Sequence, residues 1–164
     1  MPGRGASSRA AGPQEDPRCH SREPRIAPDR CPPAADGARD AGGLDVTLGR
    51  DAGAPGHART AIRGWSEHML LAPFRRDALE LLVSEVVTNA VQHASAPKEA
   101  TIELTANLDE DEILVTVTDG GVGPLPRVRM PRSGVGGYGL HIVDRESRRW
   151  GVERTARTRV WFAI

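Results

Sequence analysis

The chain is short of several things, and each shortage excludes a class of protein. It has no surplus of charge, since 22 Lys and Arg balance 22 Asp and Glu over 164 residues. Nucleic-acid binding depends on a clustered basic surplus that neutralises phosphates, so direct contact with nucleic acid is not expected. Lysine is almost missing: Lys98 stands beside 21 arginines, which are spread along the whole chain. No window approaches the ~18 consecutive apolar residues of a membrane span. Residues 1–11 carry charges but no apolar run, so no secretory signal is visible and a soluble, cytoplasmic protein is expected. Two cysteines, Cys19 and Cys31, make no disulfide framework. With His20 they still lack the fourth ligand and the tight pair spacing of a zinc site.

The length fits one domain with room for a tail. Composition changes near residue 44. Residues 1–43 hold seven of the 13 prolines, and Ile26 is their only large apolar residue besides Met1. Such a segment cannot bury enough apolar surface to offset its ordering entropy, so a disordered tail is expected there, with the globular domain over 44–164.

Within the domain, Leu44, Val46 and Leu48 alternate with Asp45 and Thr47, the pattern of a half-buried strand. A helix is predicted over 55–69, with Ala58, Ala61, Ile62, Trp65 and Met69 on one side and Pro55 in its first turn. Pro73 opens a second, longer helix over 74–94. There Leu79, Leu82, Val83, Val86 and Ala90 form the core stripe, and Ser95, Ala96 and Pro97 end it. Strands over 101–108 and 113–118 flank an acidic hairpin. A glycine- and proline-rich stretch over 119–139 is too long for a plain connector. A helix over 139–149 and strands over 150–154 and 158–164 close the chain. Paired strands with helices between them predict an α+β two-layer sandwich on a mixed, largely antiparallel sheet.

Three local features carry chemistry. Glu85 and Asn89 lie four apart, so they stack on one helix face inside an otherwise apolar run. A carboxylate there is costly unless it meets a partner or a cation. A carboxylate and an amide oxygen one turn apart suit a hard cation such as Mg²⁺, and a carboxylate beside phosphate can deprotonate an attacking hydroxyl. The bland reading is a helix with one solvated polar flank. Asp119-Gly120-Gly121-Val122-Gly123 follows a strand directly. Its glycines permit close backbone approach to a ligand, and its Asp can accept from an exocyclic amine; a plain tight turn would read the same way. Ser133-Gly134-Val135-Gly136-Gly137-Tyr138-Gly139-Leu140 runs into the last helix. Free N–H groups and the positive end of the dipole make such a start a phosphate site. A dinucleotide-binding reading fails, because no strand immediately precedes these glycines.

Taken together, in this order, the three features resemble the GHKL ATPase superfamily. Glu85 to Asn89 is similar to its N box, Asp119 to Gly123 to its G1 box, and Gly137 to Leu140 to the end of its G2 box. Within it, residues 81–94, Trp150-Gly151-Val152 and Thr158–Phe162 resemble the bacterial anti-sigma-factor serine/threonine kinases and their stand-alone relatives. The resemblance covers 44–164 and implies a Bergerat-type ATP-binding fold with ATP and Mg²⁺ as cofactors. It implies that Asn89 is the Mg²⁺ ligand, Glu85 the general base and Asp119 the acceptor for the adenine amine. Gly121 and Gly123 would close under the base and ribose. Gly137, Gly139 and the N–H groups from Leu140 would hold the phosphates, and Thr158 would lie near the adenine–Asp119 pair or a phosphate.

Val135 departs from an alternating glycine pattern, and no basic residue is placed for the γ-phosphate, although Arg129, Arg132 and Arg145 are near. Nucleotide binding is thus better supported than transfer. The implied partners are a sigma factor or the antagonist (anti-anti-sigma) protein that carries the acceptor Ser or Thr. An alternative is a partner-sequestering module with ATP as a conformational ligand, Trp65 serving as a surface anchor unless it is a core aromatic. A homodimer follows by family analogy alone. A sensor histidine kinase would need a dimerising hairpin upstream, for which 1–43 offers no pattern.

Overall fold

The computed structural model describes residues 42–93, 99–121 and 139–164. The tail expected over 1–43 lies outside these but for its last two residues, as do Ser95, Ala96 and Pro97. The elements run β1 (Leu44–Gly49), α1 (Ala54–His68), α2 (Pro73–His93), β2 (Thr101–Asp109), β3 (Glu112–Asp119), α3 (Gly139–Glu146), β4 (Arg149–Arg154) and β5 (Thr158–Ala163). The strands form one five-stranded sheet in the order β1-β2-β3-β5-β4. All four pairings are antiparallel, so the sheet expected to be mixed carries no parallel pair among the described strands.

Period-two alternation decides which side of the sheet is apolar. Leu44, Val46 and Leu48 stand opposite Ala106, Leu104 and Ile102, while Val117 and Val115 stand opposite Val160 and Phe162. Their neighbours Asp45, Thr47, Glu103, Thr105 and Thr116 point to the other face. The apolar face is covered by Ala58, Ile62 and Trp65 of α1, by Leu79, Leu82, Val83, Val86 and Val87 of α2, and by Leu140 and Val143 of α3. Each fully buried Leu, Ile or Val is worth about 1.5–3 kcal/mol relative to exposure, so this layer supplies most of the driving force.

Trp65 belongs to this core. It is 7% exposed and its Nε1 donates to the carbonyl of Gly42 at 2.5 Å, so the surface-anchor role considered for it does not fit. Trp161 and, two residues on, Ala163 are buried outside this one-sided core. Trp161 lies on the opposite sheet face, across Gly151, where an added Cβ would come 2.8 Å from the indole ring.

The helices begin where proline predicts, with Pro55 in the first turn of α1 and Pro73 opening α2. The seam between them carries Arg63, whose guanidinium donates to both carboxylate oxygens of Glu80 at 2.8 and 2.5 Å. α1 ends in a Schellman turn: Leu71 N–H bonds Ser66 O and Leu70 N–H bonds Glu67 O, with Leu70 at φ 54°. The last helix is shorter than its predicted span of 139–149. Ser147 returns both its N–H and its hydroxyl to Val143 O, and Arg148 N–H already bonds Ala163 O, so the sheet captures the chain before another turn can form.

Candidate functional site

α2 carries Glu85 and Asn89 one turn apart on the side that meets α3, both partly buried. The amide nitrogen of Asn89 is shielded from solvent and has no hydrogen-bond partner. A buried, unpaired amide costs about 1–3 kcal/mol, so this group is one that an incoming ligand can satisfy. Turning the amide over exchanges nitrogen for oxygen without changing its shape, so the same position can serve a cation.

Gly139 opens α3 directly over this pair. A Cβ at Gly139 would stand 2.8 Å from Glu85 Oε2 and 2.9 Å from Asn89 Nδ2, distances no real side chain adopts. Without a Cβ the helix start comes this close while Glu85 and Asn89 keep their positions. Leu140, the next residue, is buried in the core and fixes the approach. The first turn of α3 thereby sits beside Glu85 and Asn89, with the positive end of its dipole toward Glu85.

A second group forms at the end of the sheet. Asp119 closes β3 opposite Thr158, which opens β5. Both are buried, at 7% and 5% exposure. Asp119 Oδ1 accepts the N–H of Gly121 at 2.7 Å, and the Thr158 hydroxyl donates to Gly121 O at 2.9 Å. The Gly121 peptide is thus held from both ends by the two strand residues. Burial pushes the Asp119 carboxyl above the usual carboxylate range, while the Gly121 N–H and the charges of Arg50, Arg157 and Arg154 pull it down.

The structure therefore brings Glu85, Asn89, Gly139 and Leu140 together at one locus. It brings Asp119, Gly121 and Thr158 together at another, and both rest on the packing of α2 against β3. Gly123 and Gly137 lie outside the described residues, as do Tyr138, Arg129 and Arg132. Arg145, close in sequence to the glycine run, is exposed and paired with Glu146. Among the described residues, no group of three His, Cys, Asp or Glu could hold a metal, so a cation here would rely on Asn89 and on ligand oxygens. No described helix is long and apolar enough to cross a membrane. Sequence reasoning missed Arg50, which reaches α2 from the end of β1 with Nη2 at 3.3 Å from Val91 O. An arginine after a strand carries no local pattern that could have marked it.

Residues 51–164 match the family described as the histidine kinase-like ATPase domain. Comparison with curated proteins finds no match. Among solved structures, the chain is similar to the RsbU and RsbW domains of Rv1364c from Mycobacterium tuberculosis, with 20% identity and a TM-score of 0.59. That likeness covers 74% of this chain and 31% of the other, so the chain spans about a third of that protein's length. It is also similar to the SiaB–SiaC complex from Pseudomonas aeruginosa, with 10% identity, a TM-score of 0.52 and coverage of 73% and 88%. At these identities the likeness concerns the fold.

Proposed function

Since the chain belongs to the histidine kinase-like ATPase domain family, we propose that it binds Mg-ATP between α2, α3 and the Asp119 end of the sheet and passes the γ-phosphate to a partner protein. The observation that carries the reading is the seating of the Gly139 helix start on Glu85 and Asn89, which sets the positive end of a helix, an unpaired amide nitrogen and a carboxylate around one spot. Asp119 Oδ1 is committed to Gly121, so the second carboxylate oxygen is the one we assign to the adenine amine. Thr158 steadies that loop through Gly121 O. The unsatisfied Asn89 amide, turned over to present its oxygen, fits a ligand position for Mg²⁺, whose charge would offset that of the phosphates.

The transfer itself asks little covalent work of the protein. A Ser or Thr hydroxyl of the partner forms a new O–P bond to the γ-phosphorus as the bond to the β-phosphate oxygen breaks. Glu85 takes the hydroxyl proton, and ADP leaves. The partner is an antagonist (anti-anti-sigma) protein, or a sigma factor if the chain only sequesters. Support for this class comes from the motif resemblance and from a fold shared with RsbW and SiaB structures.

Calorimetric titration of the full chain with ATP, with and without Mg²⁺, tests the reading. Asn89→Ala is expected to lower Mg-ATP affinity at least about tenfold. Glu85→Gln is expected to keep affinity within about twofold while cutting phosphotransfer from labelled ATP by about 10²–10⁴. Full phosphotransfer by Glu85→Gln would remove Glu85 as the base. Tight Mg-ATP binding with no transfer to any antagonist or sigma protein would favour the sequestering module.

A further inference from the structure

The two halves of the site sit on different elements, and one side chain outside every motif bonds the end of α2 while its charge acts on Asp119. Arg50 follows the last residue of β1. The row Leu48, Ile102, Asp119 and Thr158 crosses four paired strands in register. Arg50 lies two residues beyond Leu48, so it leaves the sheet on the same face as Asp119, the face that α2 covers.

Its backbone is held on both sides. Gly49 is paired with Thr101 in the sheet. Asp51 begins the entry to α1, its carboxylate accepting Gly53 N–H at 2.7 Å and its carbonyl accepting Ala54 N–H at 3.2 Å. From this fixed base the part-buried guanidinium donates to Val91 O, 41 residues along the chain. Val91 lies in the last turn of α2, two residues past Asn89. Carbonyls there run out of intrahelical partners, and a cation also meets the negative end of the dipole.

We propose that Arg50 is a positioning residue of the nucleotide site, holding the end of α2 that carries Asn89 in register with the end of the sheet that carries Asp119. The inference rests on the nucleotide reading above. The same cation acts on the Asp119 carboxyl. The charged groups facing Asp119 are Arg50 from the end of β1 and Arg154 and Arg157 from the β4–β5 hairpin. Glu103 on β2 already pairs with Arg157 at 2.5 Å. Arginine suits the task because its planar fork can bond the helix end while its charge stays fixed at any working pH.

The test compares wild type, Arg50→Lys and Arg50→Gln by calorimetry with adenosine and with Mg-ATP from pH 5 to 8, alongside the thermal midpoint of each. Adenosine reports on the Asp119 end, since it carries no phosphate. Arg50→Gln is expected to lose about tenfold in adenosine affinity at neutral pH, the order of one charge-assisted hydrogen bond. The loss of affinity on acidification should begin at higher pH than in wild type, because Asp119 then protonates earlier. Arg50→Lys keeps the charge and should follow the wild-type pH profile, with the larger loss for Mg-ATP. Unchanged affinity and superposable profiles for Arg50→Gln would overturn the proposal. So would a loss that follows the thermal midpoint with no displacement in pH, the mark of a residue that only supports the fold. A wild type that binds neither adenosine nor ATP overturns the nucleotide reading, and this inference with it.

Discussion

Asp119 sits in a place that costs the folded protein something. A carboxyl at 7% exposure is raised above its ordinary range chiefly by burial. Its folded pKa exceeds the unfolded one, so the folded state binds more protons in the window between the two. Stability therefore falls as pH rises through that window and is lowest once Asp119 is ionised. Asp119→Asn keeps an oxygen for Gly121 N–H without the charge. This variant should raise the thermal midpoint of the nucleotide-free protein at pH 7. The gain should shrink as pH falls below the raised pKa, while adenosine binding is lost at every pH. An Asp119→Asn protein no more stable than wild type at pH 7 would mean that the buried charge is better solvated than its surroundings suggest.

At the scale of elements, spacing made α1 and α2 legible because the period of an amphipathic helix is local. The stripe from Leu79 to Ala90 and the prolines at 55 and 73 fix α2 and both helix starts without reference to anything distant. The end of α3 was not legible, because it is set by Arg148 bonding Ala163, a contact between segments that meet only in the sheet. The pairing of Glu85 and Asn89 could be read from their spacing, but the helix start seated on them could not. Gly139 lies 50 or more residues away, and its approach depends on Leu140 reaching the core. Arg50 was invisible for the same reason. The end of α1 holds another feature that no motif marked: Leu70 occupies the left-handed position of the Schellman turn with 89% of its surface exposed. Leu70→Gly should stabilise the chain by about 0.5–1 kcal/mol, since glycine adopts this conformation without strain. Urea denaturation reads the gain as a higher midpoint with an unchanged slope. A lower midpoint would show that the leucine side chain makes contacts worth more than the strain.

At the scale of the whole molecule, the antiparallel sheet presents the ends of β1, β3 and β5 at the same margin, on the face that α2 covers. Leu48, Asp119 and Thr158 fall in one row because of strand register, and the layer above brings Asn89 and Gly139 to that side. The three motifs are scattered over 55 residues of sequence, from Glu85 to Gly139. Their order in the chain suggested a shared ligand, and α2 packs against both α3 and β3. The most direct test is amide hydrogen exchange of the full chain with and without Mg-ATP. One cavity shared by the three stretches predicts slower exchange on binding at Gly121 and at Gly139–His141 together, and the loss of both effects in Asn89→Ala. Slowing confined to one of the two stretches, or absent from both at saturating Mg-ATP, would contradict a common nucleotide site.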